Sequence, residues 1–344
     1  ALSRKIDKAV FPGEQGGPHV HVFAALATTF KIAQTQTFVN LQNQIIKNCA
    51  AMVNRLRERG MRIPFGGTNT HLANLDCKKV IGPDGTALSG DMAARILDEV
   101  GLVLNRNTIP GDKTAMFATG IRFGTPWMTQ RGLDEKDMAE VADIIADVLL
   151  ACIPYSVQTN KGISQRAKID FKVLEDAKKR VRALCEKAGA DLEFRKNGYP
   201  QFFYLDDISQ SKGELATLNL TGPNLRQFVS YCFSTDVEKL LAGKSEKTSL
   251  STPLGTVEGA IENVKGAGYR FSFAKEKFGL AATFLRDLAV GYIAFDDELP
   301  RRIPDSISVT EDLVSDPVKA EGELKISHKP YFIGQVNKPE NKLP

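Results

Sequence analysis

One stretch constrains this chain more than any other: residues 105–132, which read N-R-N-T-I-P-G-D-K-T-A-M-F-A-T-G-I-R-F-G-T-P-W-M-T-Q-R-G. A polar loop with two asparagines leads into a short apolar strand, predicted at 116–118, and this strand delivers Arg122 to a turn. Such a strand end holds a side chain rigidly and leaves its tip in a cleft. A guanidinium held there suits a planar carboxylate, because its fork binds both oxygens. Taken alone, these residues favour a plainer interpretation, a surface arginine beside a turn.

The size and composition of the chain are typical of a soluble globular protein. Its 344 residues allow two domains of ordinary size, and the contents of 42% hydrophobic and 25% charged residues are ordinary. A net charge of +4 is too small to indicate a nucleic-acid partner. No apolar run is long enough to cross a membrane, and residues 1–12 lack the apolar core of a signal peptide. These features predict a cytoplasmic protein with neither a nucleic-acid nor a membrane partner.

Cysteine and histidine spacing gives no support for a metal site. The five cysteines are scattered and none forms a C-x-x-C pair, which argues against zinc and against a disulfide framework. His19 and His21 lack a third ligand at useful spacing. We therefore expect buried, reduced thiols, as in cytoplasmic proteins, at Cys49, Cys77, Cys152, Cys185 and Cys232.

Three blocks in the first stretch carry a family resemblance. They read N-R-N-T-I-P at 105–110, T-G-I-R-F-G-T-P at 119–126 and T-Q-R-G at 129–132. In this order they resemble the C-terminal part of serine hydroxymethyltransferase, a pyridoxal-phosphate enzyme, and the resemblance covers residues 1–152. It implies an α/β fold, namely the end of the large domain and the small domain of the aminotransferase-like PLP fold type I. It also implies a homodimer or tetramer.

A glycine pair near the start of the chain is the candidate phosphate site. Residues 10–21 read V-F-P-G-E-Q-G-G-P-H-V-H, with Gly16 and Gly17 directly before a predicted helix. Glycines at a helix start let backbone N–H groups approach a phosphate, although most Gly-Gly-Pro turns bind nothing. The block is similar to F-P-x-x-Q-G-G-P-x-x-H of the family. The resemblance implies that the two glycine amides reach the pyridoxal 5'-phosphate of the partner subunit.

The resemblance also implies roles for residues around the central arginine. Arg122 would bind the carboxylate of the amino-acid substrate, serine or glycine. Asn107 and the backbone of Thr114, Ala115 and Met116 would contact the cosubstrate tetrahydrofolate. The first asparagine of the loop has no such role by the resemblance. If the loop is extended, both asparagines point the same way, and if it turns, only one of them can reach a ligand.

The residues that perform the family's cofactor chemistry are not found in this chain. The Schiff-base lysine, the stacking histidine and the aspartate at the pyridine nitrogen all lie upstream of the blocks seen here. Lys5 and Lys8 have no matching T-H-K context. We therefore expect the chain alone to be inactive and its parent protein to be the enzyme. The chain opens with Ala1 rather than Met, as if it were cut from a longer protein.

Apolar periodicity and capping residues predict the elements of the N-terminal half. A helix at 18–35 is apolar on most sides and is expected to be buried. A second helix at 38–59 carries one apolar stripe. Ser89 and Asp134 are suitable N-caps for two further helices, and a strand is predicted at 72–76. Short strands alternating with helices indicate an α/β layer.

Residues 153–197 are predicted to be a linker followed by a charged helix. No periodicity is visible at 153–166, whereas 167–188 has one apolar side. The D-A-K-K-R-V-R cluster in this helix is interpreted as a solvated face, because no aromatic residues interleave with it. A polar, proline-rich stretch at 336–344 is predicted to be a linker tail.

The pattern changes at 198–335, where an α+β module is predicted. Strands are expected at 217–220, 256–261 and 269–273, and helices at 223–233 and 276–288. The segments L-N-L-T-G-P-N-L-R-Q-F-V, T-D-V-E-K-L-L-A-G and S-T-P-L-G-T-V-E-G follow one another here. They are similar to the folate-binding aminomethyltransferase (T-protein) of glycine cleavage.

This second resemblance is incomplete. The family's G-x-V-x-D-D block stands here as G-T-V-E-G-A, so its paired aspartates are missing. Glu258 comes one position early and faces the other side of the strand if Val257 points inward. The module is therefore interpreted as a degenerate copy. Two roles for this module, folate binding and a structural spacer, have about equal support.

Two functions from different classes follow from these observations. In the first, the chain is part of a serine/glycine hydroxymethyltransferase fused to a T-protein-like region. The parent enzyme would convert serine and tetrahydrofolate to glycine and 5,10-methylenetetrahydrofolate. In the second, it is a non-catalytic folate-binding or docking module of one-carbon metabolism. The sequence upstream of Ala1 discriminates the two, because the cofactor lysine would lie there.

Overall fold

The structure, a computed structural model, describes residues 2–160, 162–190, 203–294, 307–320 and 324. The described strands form sheets of three, two and five strands. The α-helices are α1 (Leu2–Lys8), α2 (Val20–Ala33), α3 (Gln36–Glu58), α4 (Gly90–Asp98), α5 (Pro126–Gln130), α6 (Glu135–Ala151), α7 (Phe171–Lys187), α8 (Leu225–Cys232) and α9 (Phe278–Val290). The strands are β1 (Leu72–Asp76), β2 (Asn105–Asn107), β3 (Gly120–Gly124), β4 (Ile153–Thr159), β5 (Gly162–Lys168), β6 (Leu215–Thr221), β7 (Ser245–Thr252), β8 (Gly255–Val264), β9 (Gly268–Ala274) and β10 (Ser308–Glu311).

The three-stranded sheet has the order β1-β3-β2, and both neighbouring pairs are antiparallel. Its two faces differ because side chains alternate along each strand. Leu75, Ile121 and Phe123 are buried on the inner face, where they join a core with residues of α3, α4 and α6. Arg122 lies between the last two and therefore on the outer face. The predicted strand at 72–76 and the mixture of helices and sheet are confirmed.

Helices α3, α4 and α6 each begin directly after a capping residue. The hydroxyls of Thr35 and Ser89 accept the N–H groups of Phe38 and Met92. Asp134 forms a capping box with Asp137 at the start of α6. These bonds satisfy N–H groups that have no partner inside a helix, so the prediction of both Ser89 and Asp134 as N-caps is confirmed.

The prediction of a buried helix at 18–35 is wrong. The helix forms as α2, but no residue of it is buried. Its larger apolar side chains are exposed, with Val20 at 68%, Phe23 at 57% and Phe30 at 62%. An apolar sequence predicts that a helix can be buried, but burial needs a second surface packed against the helix. The described residues do not supply that surface.

The prediction of a linker at 153–166 is also wrong, because this segment forms an antiparallel hairpin. Strands β4 and β5 pair from Ile153↔Lys168 to Thr159↔Gly162. Tyr155 and Ala167 are buried, whereas most of the hairpin is polar and open to solvent. Main-chain pairing therefore stabilises a segment whose side chains show little alternation.

The charged helix α7 begins at Phe171, after the cap Asp170. Its cationic cluster is not simply solvated: the side chain of Lys178 is 1% exposed, while Lys179 is exposed. Arg180 binds Glu140 at 2.6 Å and Asp147 at 2.8 Å on α6. The interpretation of this cluster as a solvated face is corrected, since it attaches α7 to its neighbours.

The described residues of the C-terminal part contain both strands and helices. A five-stranded antiparallel sheet has the order β10-β6-β9-β8-β7, and α8 and α9 contribute Phe228 and Phe284 to the core. On β8, Val257 is buried and Glu258 is exposed, as the alternation predicted. Strand β7 was not predicted, because S-E-K-T-S-L-S-T shows little apolar alternation.

One hydrophobic core spans the two parts of the chain. Buried residues from α3 through α9 belong to a single cluster, in which Leu149 on α6, Phe171 on α7 and Leu285 on α9 are almost fully enclosed. Aromatic packing of Phe171 against Phe284, with ring centroids 5.2 Å apart, joins α7 to α9. The segment predicted as a linker therefore does not separate two cores.

The five cysteines are free thiols. No disulfide joins the five cysteines, four of which are buried, while Cys185 is only half-buried. Burial raises the pKa of the Cys49 thiol to about 11 and that of Cys152 to about 12, so both thiols stay protonated at neutral pH. Within the described ranges there is no cluster of three potential metal ligands. Nor does any helix in them have the length and apolar character needed to span a bilayer.

Candidate functional site

Arg122 occupies the middle of the three-stranded sheet. Its backbone pairs with Asn74 on β1 and with Asn105 on β2, so the three side chains form one row across the outer face. Arg122 is exposed. Within the described residues, the guanidinium forms neither a hydrogen bond nor an ion pair.

Three carboxylates near this sheet are engaged elsewhere. One lies on β1, one at the start of α4 and one in the loop before β3, and each has its own partners. These pairs are Asp76 with Arg62, Asp91 with Arg95 and Arg106, and Asp112 with Thr119. Arg122 therefore keeps an uncompensated positive charge beside strands whose own acids are satisfied. An external anion is the natural partner for such a fork.

Asp112 organises the loop between β2 and β3. Its carboxylate accepts the N–H of Ile109 at 3.0 Å, and the N–H and hydroxyl of Thr119 at 2.9 and 2.5 Å. Burial alone would raise the pKa of Asp112, but the hydrogen bonds from Thr119 and Ile109 outweigh it and lower the pKa below its ordinary value. The carboxylate thus closes the loop over residues 109–119. Sequence reasoning missed this role, for which the only signal was an aspartate directly after Pro-Gly.

The strand predicted at 116–118 does not form. Ala115–Phe117 is a 3-10 helix, and the strand that carries Arg122 is Gly120–Gly124. Met116 and Phe117 are 72% and 71% exposed, because the bonds from Thr119 to Asp112 fold the segment back before β3 begins. The predicted folate contacts Thr114, Ala115 and Met116 therefore lie on an exposed turn.

Both asparagines of the N-R-N block lie in strand β2. Asn105 pairs with Arg122, and Asn107 pairs with Gly120. Since the segment is extended, the two side chains point to the same face. Asn105 is exposed, whereas Asn107 is half-buried and donates its amide N–H to the carbonyl oxygen of Thr108 at 3.1 Å. The structure thus brings Asn107 onto the same outer face as Arg122.

Gly120 allows this arrangement because the surrounding side-chain and backbone atoms leave no room for a Cβ. A Cβ atom there would lie 2.4 Å from Cγ2 of Ile109 and 3.0 Å from the carbonyl oxygen of Asn107. Real Cβ contacts do not approach so closely. The glycine therefore lets the loop and β2 pack tightly against β3, next to Arg122.

The T-x-R-G block has a structural role. The amide of Asn48 on α3, which is fully buried, donates to Thr129 Oγ1 at 2.8 Å and to the carbonyl oxygen of Leu133 at 2.9 Å. Thr125 donates its hydroxyl to the carbonyl oxygen of Ile45 at 2.8 Å. These buried bonds attach α5 to α3 directly after β3, which fixes the strand end that bears Arg122.

Gly16 and Gly17 lie before α2 in open surroundings. Among the described residues, no atom lies within 4 Å of the position that a Cβ would take at either glycine. The N-cap of α2, His19, makes no side-chain hydrogen bond to the helix. The first N–H groups of α2 therefore have no capping side chain, and a helix start of this kind suits a phosphate. The structure does not bring these glycines into contact with the row that contains Arg122.

The comparisons with known proteins bear on this N-terminal region. The family model for serine hydroxymethyltransferase matches residues 1–145, a range that contains every candidate residue described above. The N-terminal α/β part, which carries Arg122, is therefore similar to serine hydroxymethyltransferases.

Two curated relatives are more specific. A serine hydroxymethyltransferase of Bombyx mori is 43% identical over 187 residues, which cover 52% of this chain and 39% of the relative. A mitochondrial serine hydroxymethyltransferase of Candida glabrata is 39% identical over 191 residues, or 55% of this chain and 38% of the relative. The chain thus matches about two fifths of the length of these relatives. The predicted resemblance is confirmed for residues 1–145, while that of 198–335 to T-protein stays a prediction.

Proposed function

We propose that this chain supplies the substrate-binding part of a serine hydroxymethyltransferase. The parent enzyme transfers a one-carbon unit from serine to tetrahydrofolate and yields glycine and 5,10-methylenetetrahydrofolate. The observation that carries this proposal is the unpaired guanidinium of Arg122, held in the centre of a sheet inside the region that matches the family.

In this proposal Arg122 binds the carboxylate of serine or glycine. Its guanidinium presents parallel N–H groups that match both carboxylate oxygens. The rigid setting of β3 between β1 and β2 fixes the direction of the fork. Since Asp76 and Asp91 are already paired, neither competes with the amino acid for this charge.

The same face provides the proposed contacts to tetrahydrofolate. The amide of Asn107 offers a donor and an acceptor, which match the edge of a pterin ring. The exposed turn with Thr114, Ala115 and Met116 offers backbone groups beside it. Asp112 holds this turn against β3 through its bonds to Thr119.

The proposed cofactor is pyridoxal 5'-phosphate, which supplies an electron sink for reactions at the amino-acid α-carbon. Gly16, Gly17 and the uncapped start of α2 suit its phosphate. Within the described residues, no atom lies within 4 Å of either Cβ position and the side chain of His19 does not cap the helix. We place these groups in the site of a partner subunit of a homodimer or tetramer. No lysine of this chain is assigned to the cofactor, so we propose that the chain alone is inactive.

The C-terminal part is proposed to be a T-protein-like region fused to this unit, with residues 1–152, 153–197, 198–335 and 336–344 as the successive segments. The last segment lies outside the described residues. The exposed side chain of Glu258 does not replace the aspartates missing at positions 259 and 260 of β8. We therefore propose a folate-binding or spacer role for this part, without aminomethyl transfer.

The proposal is tested by amino-acid binding to the full-length gene product. Arg122→Ala removes a bidentate charged contact in a partly desolvated site, so glycine affinity should fall by about 2–5 kcal/mol, or roughly 30-fold or more. Arg122→Lys should restore little of it, because an ammonium lacks the planar fork. Isothermal titration with glycine measures both variants.

The matched control is Arg57→Ala, which removes an exposed arginine from α3. It should leave glycine affinity unchanged. Equal affinity for glycine in the wild type and in Arg122→Ala would place Arg122 outside the site. Tetrahydrofolate binding without any glycine binding in the wild type would instead favour the non-catalytic folate module.

A further inference from the structure

Asn74 on β1 has an unsatisfied amide oxygen. Its Oδ1 atom is enclosed by the protein, yet it accepts no hydrogen bond in the described structure. It is one of four buried side-chain atoms without a hydrogen-bond partner in the described residues, and the other three are hydroxyl oxygens. A buried acceptor without a donor is costly, so its position next to a functional arginine requires an explanation.

The register of the sheet directs Asn74 to the outer face. Its backbone partner is Arg122, and directly opposite residues of antiparallel strands place their side chains on the same face. Ala73 and Leu75, on either side, are buried on the inner face. Paired Cα atoms in such sheets are about 4.5–5.5 Å apart, which is well within the reach of an arginine side chain.

The other outer-face residues of β1 cannot satisfy the Asn74 oxygen. Leu72 is apolar, and Asp76 is an acceptor that already binds Arg62. Across the strand pair, Arg122 holds the only guanidinium of the sheet's outer row, and its N–H groups are unbonded within the described residues. The donor and the acceptor that both lack a partner are therefore direct neighbours.

We propose that Asn74 is a positioning residue for Arg122. The Asn74 oxygen accepts one guanidinium N–H, and this bond sets the plane in which the remaining N–H groups meet the carboxylate of the amino acid. The inference rests on the proposed function of Arg122 and adds a residue to it. Hydrogen bonds of this kind are often loose without ligand and tighten when the complex forms.

The neutral charge of Asn74 is part of its role. A carboxylate in its place would neutralise Arg122 and compete with the amino acid for the fork. An apolar side chain would leave the guanidinium free to turn. Asn105, on the other side of Arg122, is exposed, so water can satisfy its amide and the same argument does not apply to it.

The test compares Asn74→Leu and Asn74→Asp in the full-length gene product, with glycine titrated by calorimetry. We expect Asn74→Leu to weaken glycine binding about 5–30-fold, because a bond to a charged donor is lost. Asn74→Asp should weaken it more, by roughly 100-fold or beyond, because an internal ion pair replaces the substrate. Tetrahydrofolate affinity should change less than twofold in both variants.

A double-mutant cycle separates positioning from general damage. If Asn74 acts through Arg122, then Asn74→Leu has no further effect on glycine binding in the Arg122→Ala background. Equal weakening in both backgrounds would overturn the inference, and so would unchanged glycine affinity in Asn74→Leu alone.

A second measurement keeps the inference testable if the proposed function fails. The protein is labelled with ¹⁵N-arginine and its NMR spectrum is recorded with sodium acetate as the carboxylate probe. The Arg122 Nε–H signal is assigned by its loss in Arg122→Lys. We expect Asn74→Leu to shift this signal and to speed its exchange with water. If the wild type binds no glycine, the proposed function is wrong. Independently of that result, an Arg122 Nε–H signal that is unchanged in Asn74→Leu would refute the inference about Asn74.

Discussion

Substituting Lys178 by methionine should destabilise the protein strongly. The Lys178 side chain is 1% exposed, and its ammonium lies 2.8 Å from Glu175 on the same helix and 3.1 Å from Asp287 on α9. Arg286 binds Asp287 at 3.1 Å and approaches Glu99, at the end of α4, to 3.7 Å. This network therefore lies where α7 meets both parts of the chain.

The magnitude follows from which groups are charged. Burial raises the pKa of Glu175, and the hydrogen bond and charge of Asp287 raise it further, so Glu175 is neutral at pH 7. Lys178 and Asp287 then form the buried ion pair. Removing one partner of such a pair costs about 3–5 kcal/mol. Arg286 remains beside Asp287, so we expect about 3 kcal/mol, or a Tm lower by about 6–12 °C.

Thermal unfolding followed by circular dichroism measures this effect. The control Lys179→Met changes the adjacent lysine, which is exposed, and should shift Tm by less than about 2 °C. Because the core is continuous between the two parts, Lys178→Met should still unfold in a single transition. Equal Tm values for the two variants would refute this assignment of the buried charges.

Two further predictions concern Glu175 and the asparagines of β2. A raised folded-state pKa means that the stability contributed by Glu175 is complete below its ordinary pKa of 4.5 and is lost as pH rises towards the folded value. The unfolding free energy of Glu175→Gln should therefore rise relative to that of the wild type, by up to about 1.4 kcal/mol for each pH unit above that point. Urea unfolding from pH 5 to 8 measures both proteins, and a difference that stays constant with pH would disprove the prediction. Asn107→Ala in the full-length gene product should weaken tetrahydrofolate binding by about 1–3 kcal/mol, whereas Asn105→Ala should leave it unchanged. Calorimetry measures both affinities. A loss of affinity in Asn105→Ala and not in Asn107→Ala would assign the folate contact to the first asparagine.

Local signals in the sequence predicted the parts of the fold that depend on neighbouring residues. Ser89 and Asp134 cap helices in the structure as expected, because a cap needs only an N–H two or three residues ahead. The strand at 72–76 was also predicted, since one buried face imposes alternation.

The failures share a dependence on distant partners. Nothing in residues 153–166 shows that they pair as a hairpin, whose Ser156 donates its N–H to Asp84 at 2.8 Å. Lys178 was placed on a solvated face because its partner Asp287 is 109 residues away. The exposed surface of α2 could not be anticipated, because its covering is not encoded in its own sequence.

The candidate site shows the same division. The motif pointed to Arg122 and Asn107 as candidates. Only the register of β1, β3 and β2 reveals that Asn74 and Arg122 are neighbours that have no other partners among the described residues. The role of Asp112 likewise depends on Thr119, which lies across a loop. Sequence motifs thus point to candidate ligand-binding residues more readily than to the residues proposed to position them.

The most direct test of the central proposal is a crystal structure of the full-length gene product with glycine and tetrahydrofolate bound. We predict that two guanidinium nitrogens of Arg122 lie about 2.7–3.0 Å from the two carboxylate oxygens of glycine. A glycine carboxylate bound by another residue, with Arg122 directed into solvent, would contradict the proposal.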